Sequence, residues 1–339
     1  MKKLTVAAAL TLFAAGASAS HFRGADQVYL PVAGHAPGSS GVFISDVYIA
    51  NLDPDEEVKV SVIYQPFGAN LPADGSIGTE FKDAITLRAG ERKEYKDFFR
   101  SANIAQNGFG QIIFNACVSG KSCGPETQDQ TGYSENFRPI SVESRIYQVT
   151  NQRPTETTGQ LFPGIPWYNF VSQLQAGVNL DKVFITGITQ TGTAGQVGTF
   201  RTNIGLVNAS QYSTTTLVVK LYQGTLSETD KKGENQVTLL PLGNVQPGIT
   251  SLFPNMIPGG NYFVTVEQRN SEPFGSNVPS GCLPLGCPAF LAYGSVLDNL
   301  SGDATTLEAQ YLKELDASAI NTIYPLSGGK PTMRRSARH

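Results

Sequence analysis

Hydrophobic and polar residues alternate with a period of two along most of this chain. Between residues 58 and 64 every second residue is a valine or a tyrosine, and the runs 142–149 and 214–219 are rich in β-branched residues. Such alternation is typical of half-buried β-strands. Clusters of Gly, Pro, Asp and Asn separate the runs and predict turns. Helical spacing is confined to weak candidates at 96–105 and 307–315, so the pattern predicts an almost entirely β-structure.

The strand-like runs occur twice, in the same order. The segment DQVYL at 26–30 returns as DKVFI at 181–185, which sets a register of about 155 residues between two copies. Later pairs keep this order while the loops between them change length. The further equivalent segments are 43–51 with 200–208, 60–65 with 218–223, 85–90 with 237–243, 111–114 with 263–266, and 140–149 with 289–298. The sequence therefore predicts an internal duplication.

Each copy contains about seven short strands, which is the strand count of an immunoglobulin-like sandwich. We expect an all-β protein of two tandem immunoglobulin-like antiparallel β-sandwich domains. A doubly wound α/β fold is excluded because no segments are left for its crossover helices. The predicted boundaries are a signal peptide at 1–19, a first sandwich at 20–153, an aromatic-containing linker at 154–179, a second sandwich at 180–315 and a C-terminal tail at 316–339.

The first twenty residues have the pattern of a secretory signal. Lys2 and Lys3 precede an apolar stretch at 4–15 and small residues at 16–20, and we expect cleavage after Ala19. The apolar stretch is too short to span a bilayer, and no later segment is long enough. We therefore predict a protein that is secreted and extracellular or on the cell surface, with the periplasm as the alternative.

The four cysteines come as two close pairs. Cys117 with Cys123, and Cys282 with Cys287, each bracket a turn-rich stretch. An oxidising destination favours two local disulfides. The alternative is a zinc site, which would need all four thiolates to converge from distant parts of the chain.

Composition narrows the function classes. The 339 residues carry a formal net charge of -3. The chain therefore has no excess of positive charge with which to bind the phosphates of nucleic acid. Histidines occur only at 21, 35 and 339, which excludes a Ser-His-Asp or Cys-His arrangement inside the body of the chain.

Two enzymatic alternatives stay open. One is glycoside hydrolysis by a pair of carboxylates, and the other is copper held by His21 and His35 if cleavage falls after Ser20. The candidate carboxylates are Glu143, Glu267 and Asp298.

Two further sets of residues are candidates for ligands, although turn formation and packing explain them better. Asp53 and Asp55 in one turn, and Asp298 and Asp303 in another, offer oxygens to calcium but lack EF-hand spacing. We therefore predict no cofactor, with calcium as the alternative. Trp167 and Tyr168, with Tyr133 and Phe137, are candidates for stacking on a sugar ring.

Several segments carry a resemblance to a known family. The stretches YLPVAGHAPG at 29–38, FRTN at 200–203 and AYGSVLDN at 292–299 resemble secreted bacterial proteins built from tandem immunoglobulin-like modules. The likeness covers most of residues 26–311. Ile44 and Ser45 stand where that family usually has Thr or Arg-Thr ahead of Asp46. Because that family has no assigned activity, the resemblance implies a fold and no reaction.

These observations predict a non-catalytic secreted or cell-surface protein that acts in extracellular structure, adhesion or self-assembly, such as a filament or surface array. Its partners would be proteins or further copies of itself, because exposed sheet edges and polar faces favour such contacts. The alternative is a module that binds extracellular polysaccharide. An enzyme that uses carboxylates or copper is the third hypothesis. The sequence leaves the ligand and the oligomeric state open.

Overall fold

The computed structural model describes fourteen segments of the chain. They are residues 24–38, 41–68, 79–80, 85–104, 107–123, 134–149, 159–171, 182–192, 199–210, 213–273, 289–300, 304–311, 326–327 and 330–331. These residues form almost entirely antiparallel β-structure in several sheets, which confirms the predicted all-β sandwich fold. The predicted signal peptide, His21, Cys282, Cys287 and Asp303 lie outside them.

Ten strands and one short helix make up the first half of the chain. They are β1 Gln27–Pro37, β2 Val42–Asn51, β3 Val58–Pro66, β4 Thr79–Glu80, β5 Ile85–Leu87, β6 Arg92–Tyr95, α1 Phe98–Ser101, β7 Gly108–Val118, β8 Ile140–Val149, β9 Gly159–Pro163 and β10 Ile165–Pro166. One layer has the order β3-β7-β1-β10, with β4 and β5 also on β3. The other layer has the order β6-β2-β8-β9. Strand β1 also pairs with β2 at its end and so joins the two layers.

The second half repeats this plan. Its elements are β11 Lys182–Ile188, β12 Phe200–Asn208, β13 Ser213–Gln223, β14 Lys231–Leu239, β15 Asn244–Val245, α2 Ile249–Leu252, β16 Tyr262–Pro273, β17 Phe290–Asp298, β18 Ala304–Glu308 and β19 Gln310–Tyr311. The layer β13-β16-β11-β19 corresponds to β3-β7-β1-β10, and β15-β12-β17-β18 corresponds to β6-β2-β8-β9. Within the predicted tail, β20 Leu326–Ser327 pairs with β21 Lys330–Pro331.

Strand registers show which residues of the two halves are equivalent. Asn51 lies opposite Ile140 in β8, as Asn208 lies opposite Phe290 in β17. Across the other layer, Tyr29 lies opposite Ile113, as Phe184 lies opposite Thr265. The same registers shift two of the predicted pairings by one residue: Gln65 lies opposite Gln111 as Tyr222 lies opposite Phe263, so Gln65 corresponds to Tyr222, and Ile140 corresponds to Phe290.

The asparagines that end β2 and β12 hold the same buried network in both halves. In each case Nδ2 donates to three backbone carbonyls, and Oδ1 accepts the N–H of the residue two positions later. The carbonyl acceptors are Glu56, Leu87 and Arg88 for Asn51, and Ser213, Leu239 and Leu240 for Asn208. The carboxamide therefore satisfies backbone groups that burial would otherwise leave without partners.

A buried hydroxyl fixes the crossing of the first two strands in each half. Ser45 accepts the N–H of Gly34 at 2.8 Å and donates to the carbonyl of Gly34 at 3.0 Å. Thr202 makes the same two bonds with Thr189, at 3.0 and 2.7 Å. Ser45 thus supplies the same hydroxyl contacts in the first half that Thr202 supplies in the second.

Two local expectations need correction. The helix predicted near 307–315 is wrong over residues 307–311, because residues 304–308 and 310–311 are strands that pair with β17 and β11, and residues 312–315 lie outside the described residues. The candidate at 96–105 contains, among its described residues, the four-residue helix α1, whose Phe98 and Phe99 are buried.

Residues 159–166 of the predicted linker form β9 and β10, which pair with β8 and β1 of the first half.

Candidate functional site

The structure places most of the sequence-predicted residues in structural roles. A disulfide joins Cys117, near the end of β7, to Cys123 in the turn that follows. Asp53 accepts the backbone N–H of Asp55 and Glu56 through one oxygen, and pairs with Arg138 at 2.9 Å through the other. Its carboxylate is therefore already used in stabilising its own turn.

The other calcium candidates form no cluster in the part of the chain that the structure describes. Asp298 accepts the N–H of Leu300 at 2.8 Å, as expected for a turn residue. Among the described residues, no group of three or more His, Cys, Asp or Glu side chains is arranged to share a metal ion. The three carboxylates proposed for glycoside hydrolysis lie on three different strands, β8, β16 and β17.

Trp167 contributes to packing. Its ring is half-buried against the first-half core, and Nε1 donates to Asp26 at 3.1 Å. It occupies a short 3₁₀ turn at Trp167–Asn169. The side chain of Tyr168 and all of Tyr133 lie outside the described residues. The packing explanation thus accounts for Trp167.

A buried carboxylate that the sequence analysis missed organises one face of the first half. Asp46 is 1% exposed and accepts bonds from Lys96 Nζ at 2.9 Å, from the Asp97 N–H at 3.0 Å and from Tyr147 Oη at 3.1 Å. His35 Nδ1 lies 3.0 Å from Asp97. Burial, followed by the charge of Asp46, raises the pKa of Tyr147 to about 12. The equivalent residue in the second half is the neutral Asn203.

The two halves meet through one outer sheet face from each. The face contributed by β12 and β17 is buried, and residues beside it bond to Tyr29, Gln65 and Gln111 of the β3-β7-β1 layer. Its residues are Gly205, Val207, Leu291, Tyr293 and Ser295. Because Val207, Ala209, Leu242, Ala289, Leu291 and Tyr293 belong to the same hydrophobic cluster as the first-half core, we call this contact the junction.

Side-chain hydrogen bonds, together with a backbone bond from the Gly68 N–H to the Asn244 carbonyl at 2.9 Å, fix the register of the junction. Tyr29 Oη donates to the Ala209 carbonyl at 3.1 Å, and Gln111 Nε2 donates to the Leu242 carbonyl at 2.7 Å. In the opposite direction, Asn244 Nδ2 donates to the carbonyl of Gln65 at 3.1 Å. Buried bonds of this kind are costly to break, because a buried donor that loses its acceptor pays the cost of its desolvation.

The edge strand β9 completes the junction. The rings of Phe162 and Tyr293 contact edge to face with centroids 5.6 Å apart, and Ser295 donates to Gln160 at 3.0 Å. The Tyr293 ring also lies over Gly205, where a Cβ would be only 2.0 Å from it. Burial raises the pKa of Tyr293. The cavity beside these residues measures about 70 Å³, which is too small for an organic ligand.

The first-half equivalent of the buried second-half face is partly exposed, and we call it the N face. It consists of Tyr48, Ala50, Ser141, Glu143 and Arg145, flanked by Leu52, Arg92 and Leu161. The Arg92 guanidinium lies 5.4 Å from the centre of the Tyr48 ring, and that of Arg145 lies 5.1 Å from the Tyr147 ring. Leu52 and Leu161 are 47% and 48% exposed.

The second-half equivalent of the other junction surface is partly exposed, although its Tyr222 is buried, and we call it the C face. It consists of Lys182, Phe184, Lys220, Tyr222, Phe263 and Glu267. Phe263 contacts Phe184 with centroids 4.6 Å apart and stacks on Tyr222 at 5.4 Å. Burial alone would raise the pKa of Glu267, but its bonds to Lys220 and Lys182 outweigh burial and lower it.

Comparisons with known proteins identify no family. No family model matches the chain, and no curated protein matches it. Among solved structures, the Bacteroides uniformis β-glucuronidase 2 bound to a cyclophellitol aziridine shares 8% identity at a TM-score of 0.15, over 85% of this chain and 26% of that one. Broad bean stain virus gives 10% identity and a TM-score of 0.22, over 88% and 94%.

A biofilm-associated protein BSP domain gives 12% identity and a TM-score of 0.16, over 85% of this chain and 59% of that one. This chain thus spans only about a quarter of the glucuronidase, and TM-scores this low carry no inference about function.

In the part of the chain that the structure describes, no helix has the length and apolarity to cross a membrane.

Proposed function

We propose that this chain is a non-catalytic secreted protein that acts through surface contacts, in extracellular structure, adhesion or self-assembly. One observation carries the proposal. The junction uses one outer face of each half, and among the described residues the equivalent face of the other half is partly exposed in both cases. A chain with two partly exposed faces, each the repeat equivalent of a surface that is buried in the junction, is suited to binding partners on both sides.

The residues of the two faces support a contact role. Tyrosine, phenylalanine and arginine are the residue types that dominate protein interfaces, and both faces combine aromatic rings with cations. Two of the three carboxylates proposed for catalysis are explained by other contacts: Glu267 is paired with two lysines, and Asp298 caps a turn. Secretion, which the leader pattern and the disulfide favour, belongs to the same proposal.

A second candidate is binding of extracellular polysaccharide at the N face. Tyr48 and Tyr147 lie on the same side of neighbouring strands, and Arg92 and Arg145 beside them would attract acidic sugars. A ring that stacks on a pyranose must present an open side. Two cations, Arg92 and Lys96, lie over the Tyr48 ring, whereas among the described residues only Arg145 lies over the Tyr147 ring, so Tyr147 is the better placed of the two tyrosines.

Light scattering and electron microscopy of the purified mature chain test the first proposal. We expect particle size to grow with protein concentration and elongated or sheet-like assemblies to form. Uniform single-chain particles at the highest attainable concentration, together with retention on an acidic polysaccharide that Tyr147→Ala abolishes, would instead favour the second candidate. Hydrolysis of a glycan by the purified chain would overturn both.

A further inference from the structure

We infer that a second copy of this chain docks its N face on the C face of the first, in the geometry that the junction already uses within one chain. This inference rests on the proposed function and names the partner as another copy. The junction holds a second-half face on a first-half face, and the N and C faces are the repeat equivalents of those two surfaces. If two copies meet through the same kind of contact, the N face of one copy lies on the C face of the other.

The strand registers predict which residues would meet. Within the chain, Tyr29 bonds to Ala209. The equivalent of Tyr29 is Phe184, and the equivalent of Ala209 is Leu52, whose N–H bonds to Pro139 as that of Ala209 bonds to Ala289. Leu52 of one copy is therefore expected against Phe184 of another. Leu52 is 47% exposed, so this contact would cover apolar surface that the single chain leaves in water.

A second predicted contact is between a cation and aromatic rings. Within the chain, Asn244 bonds to Gln65, and the equivalents of these residues are Arg92 and Tyr222. Tyr222 is stacked on Phe263. The guanidinium of Arg92 in one copy would thus approach a stacked ring pair in another, which is a favourable cation–π arrangement.

The turn before β6 supplies the third contact. Gln111 bonds to Leu242 in the junction, and the equivalents are Phe263 and Gly90. Leu242 and Gly90 both have positive φ, at 52° and 65°, so the two turns have the same backbone shape. A Cβ on Gly90 would have no atom within 4 Å, so this turn has room to receive the Phe263 ring.

The composition of the N and C faces fits a contact that forms after folding. The surfaces buried in the junction are rich in Val, Leu, Ile and Tyr, whereas the free faces carry Arg, Lys, Glu and aromatic residues. Such mixed faces can be solvated in the separate chain and buried when a partner binds. The charges also offer partners of opposite sign, because Arg145 and Glu143 lie on one face and Glu267 and Lys220 on the other.

The contact is heterologous, because it joins two different faces of the same molecule. Each copy that docks through its N face still offers its C face, so the assembly grows in one direction and has polarity. The closing experiment uses this property. Leu52→Asp disables the N face, Phe184→Asp disables the C face, and each leaves the other face intact.

We expect each variant alone to stay a single chain, with association weakened at least about tenfold, as for loss of an interface anchor. Mixed in equal amounts, Leu52→Asp and Phe184→Asp should form two-chain complexes and nothing larger, because only one productive pair of faces is left. Ile257→Asp is the control, because Ile257 is 73% exposed and lies on neither face. It should assemble like the parent chain.

Cysteine pairing provides the independent measurement. A mixture of Leu52→Cys and Phe184→Cys chains should give a disulfide-linked dimer on a non-reducing gel, whereas either variant alone should give none. If the parent chain assembles while both aspartate variants also assemble, this docking mode is wrong and the proposed function stands. If the parent chain stays monomeric at all concentrations, self-assembly and this docking mode both fail. Homodimers of either cysteine variant would indicate a symmetric contact and would overturn the head-to-tail arrangement.

Discussion

The outer faces of β2 and β12 show how one fold acquires two kinds of surface. Tyr48 and Gly205 occupy equivalent positions, as do Glu143 and Tyr293. In the second half the small Gly205 admits the Tyr293 ring, and the face is buried in the junction. In the first half the same positions carry a tyrosine held by cations and a carboxylate, and the face is partly exposed. The inward residues set the fold, and the outward residues decide whether a face is permanently covered.

By contrast, the buried asparagines show what both halves must keep. Replacing Asn51 or Asn208 with Ala would leave three backbone carbonyls without their donor, and this is the largest effect that we predict. We expect each variant to lose about 3 kcal/mol of unfolding free energy, since each buried unpaired group costs about 1–3 kcal/mol and water will reach some of them. Chemical denaturation measures this loss. A loss in one variant only would show that the two networks are not equivalent.

The next prediction compares the buried face of β12 and β17 with the N face. Gly205→Ala would place a Cβ against the Tyr293 ring, and we expect it to cost about 2 kcal/mol, as for overpacking of a tight interior. The matched change on the exposed face, Tyr48→Ala, should cost less than about 1 kcal/mol, because the ring is only partly buried. The same denaturation curves test both. Equal costs would mean that the N face is packed as tightly as the junction.

Strand alternation was enough to predict the fold, but not the surfaces. The duplicated runs match the observed strands closely, as for residues 43–51 and β2, because inward hydrophobic positions recur at every second residue. Strands β9, β18 and β19 escaped prediction because they are short edge strands whose pairing depends on distant partners. The buried role of Asp46 was missed for the same reason, since its partners Lys96 and Tyr147 are remote in sequence.

The junction itself had one local signal. Gly205 interrupts a run of apolar β-strand residues, and glycine inside a strand often marks a close approach by another group. Its partner, Tyr293, follows from the register between β12 and β17. What no local pattern reveals is the surface on which this face packs, because that depends on how two folded halves stack.

Asp46→Asn tests the third difference between the halves by giving the first half the neutral residue of the second. We expect a loss of about 1–2 kcal/mol, because Lys96 and the Asp97 N–H would lose a charged acceptor. The pKa of Tyr147, now about 12, should fall but stay above 10.0, since burial is the main cause of its shift and the charge of Asp46 a lesser one. Ultraviolet titration of tyrosine ionisation, with Tyr147→Phe to identify the signal, measures the change. An unaltered titration would show that the carboxylate has no influence on Tyr147.

The smallest effect concerns acid stability and the C face. The pKa of Glu267 is lowered in the folded chain, so the stability that it contributes is present above its ordinary value of 4.5 and is lost as pH falls through the folded pKa. Glu267→Gln should therefore be less stable than the parent chain at pH 7, by about 1 kcal/mol or less for lysine pairs that water still reaches. Below the folded pKa the difference between the two chains should vanish. Unfolding free energies measured from pH 3 to pH 7 test this, with Glu234→Gln as a control for general charge removal. A difference that does not shrink as the pH falls would show that Glu267 acts through packing and not through its charge.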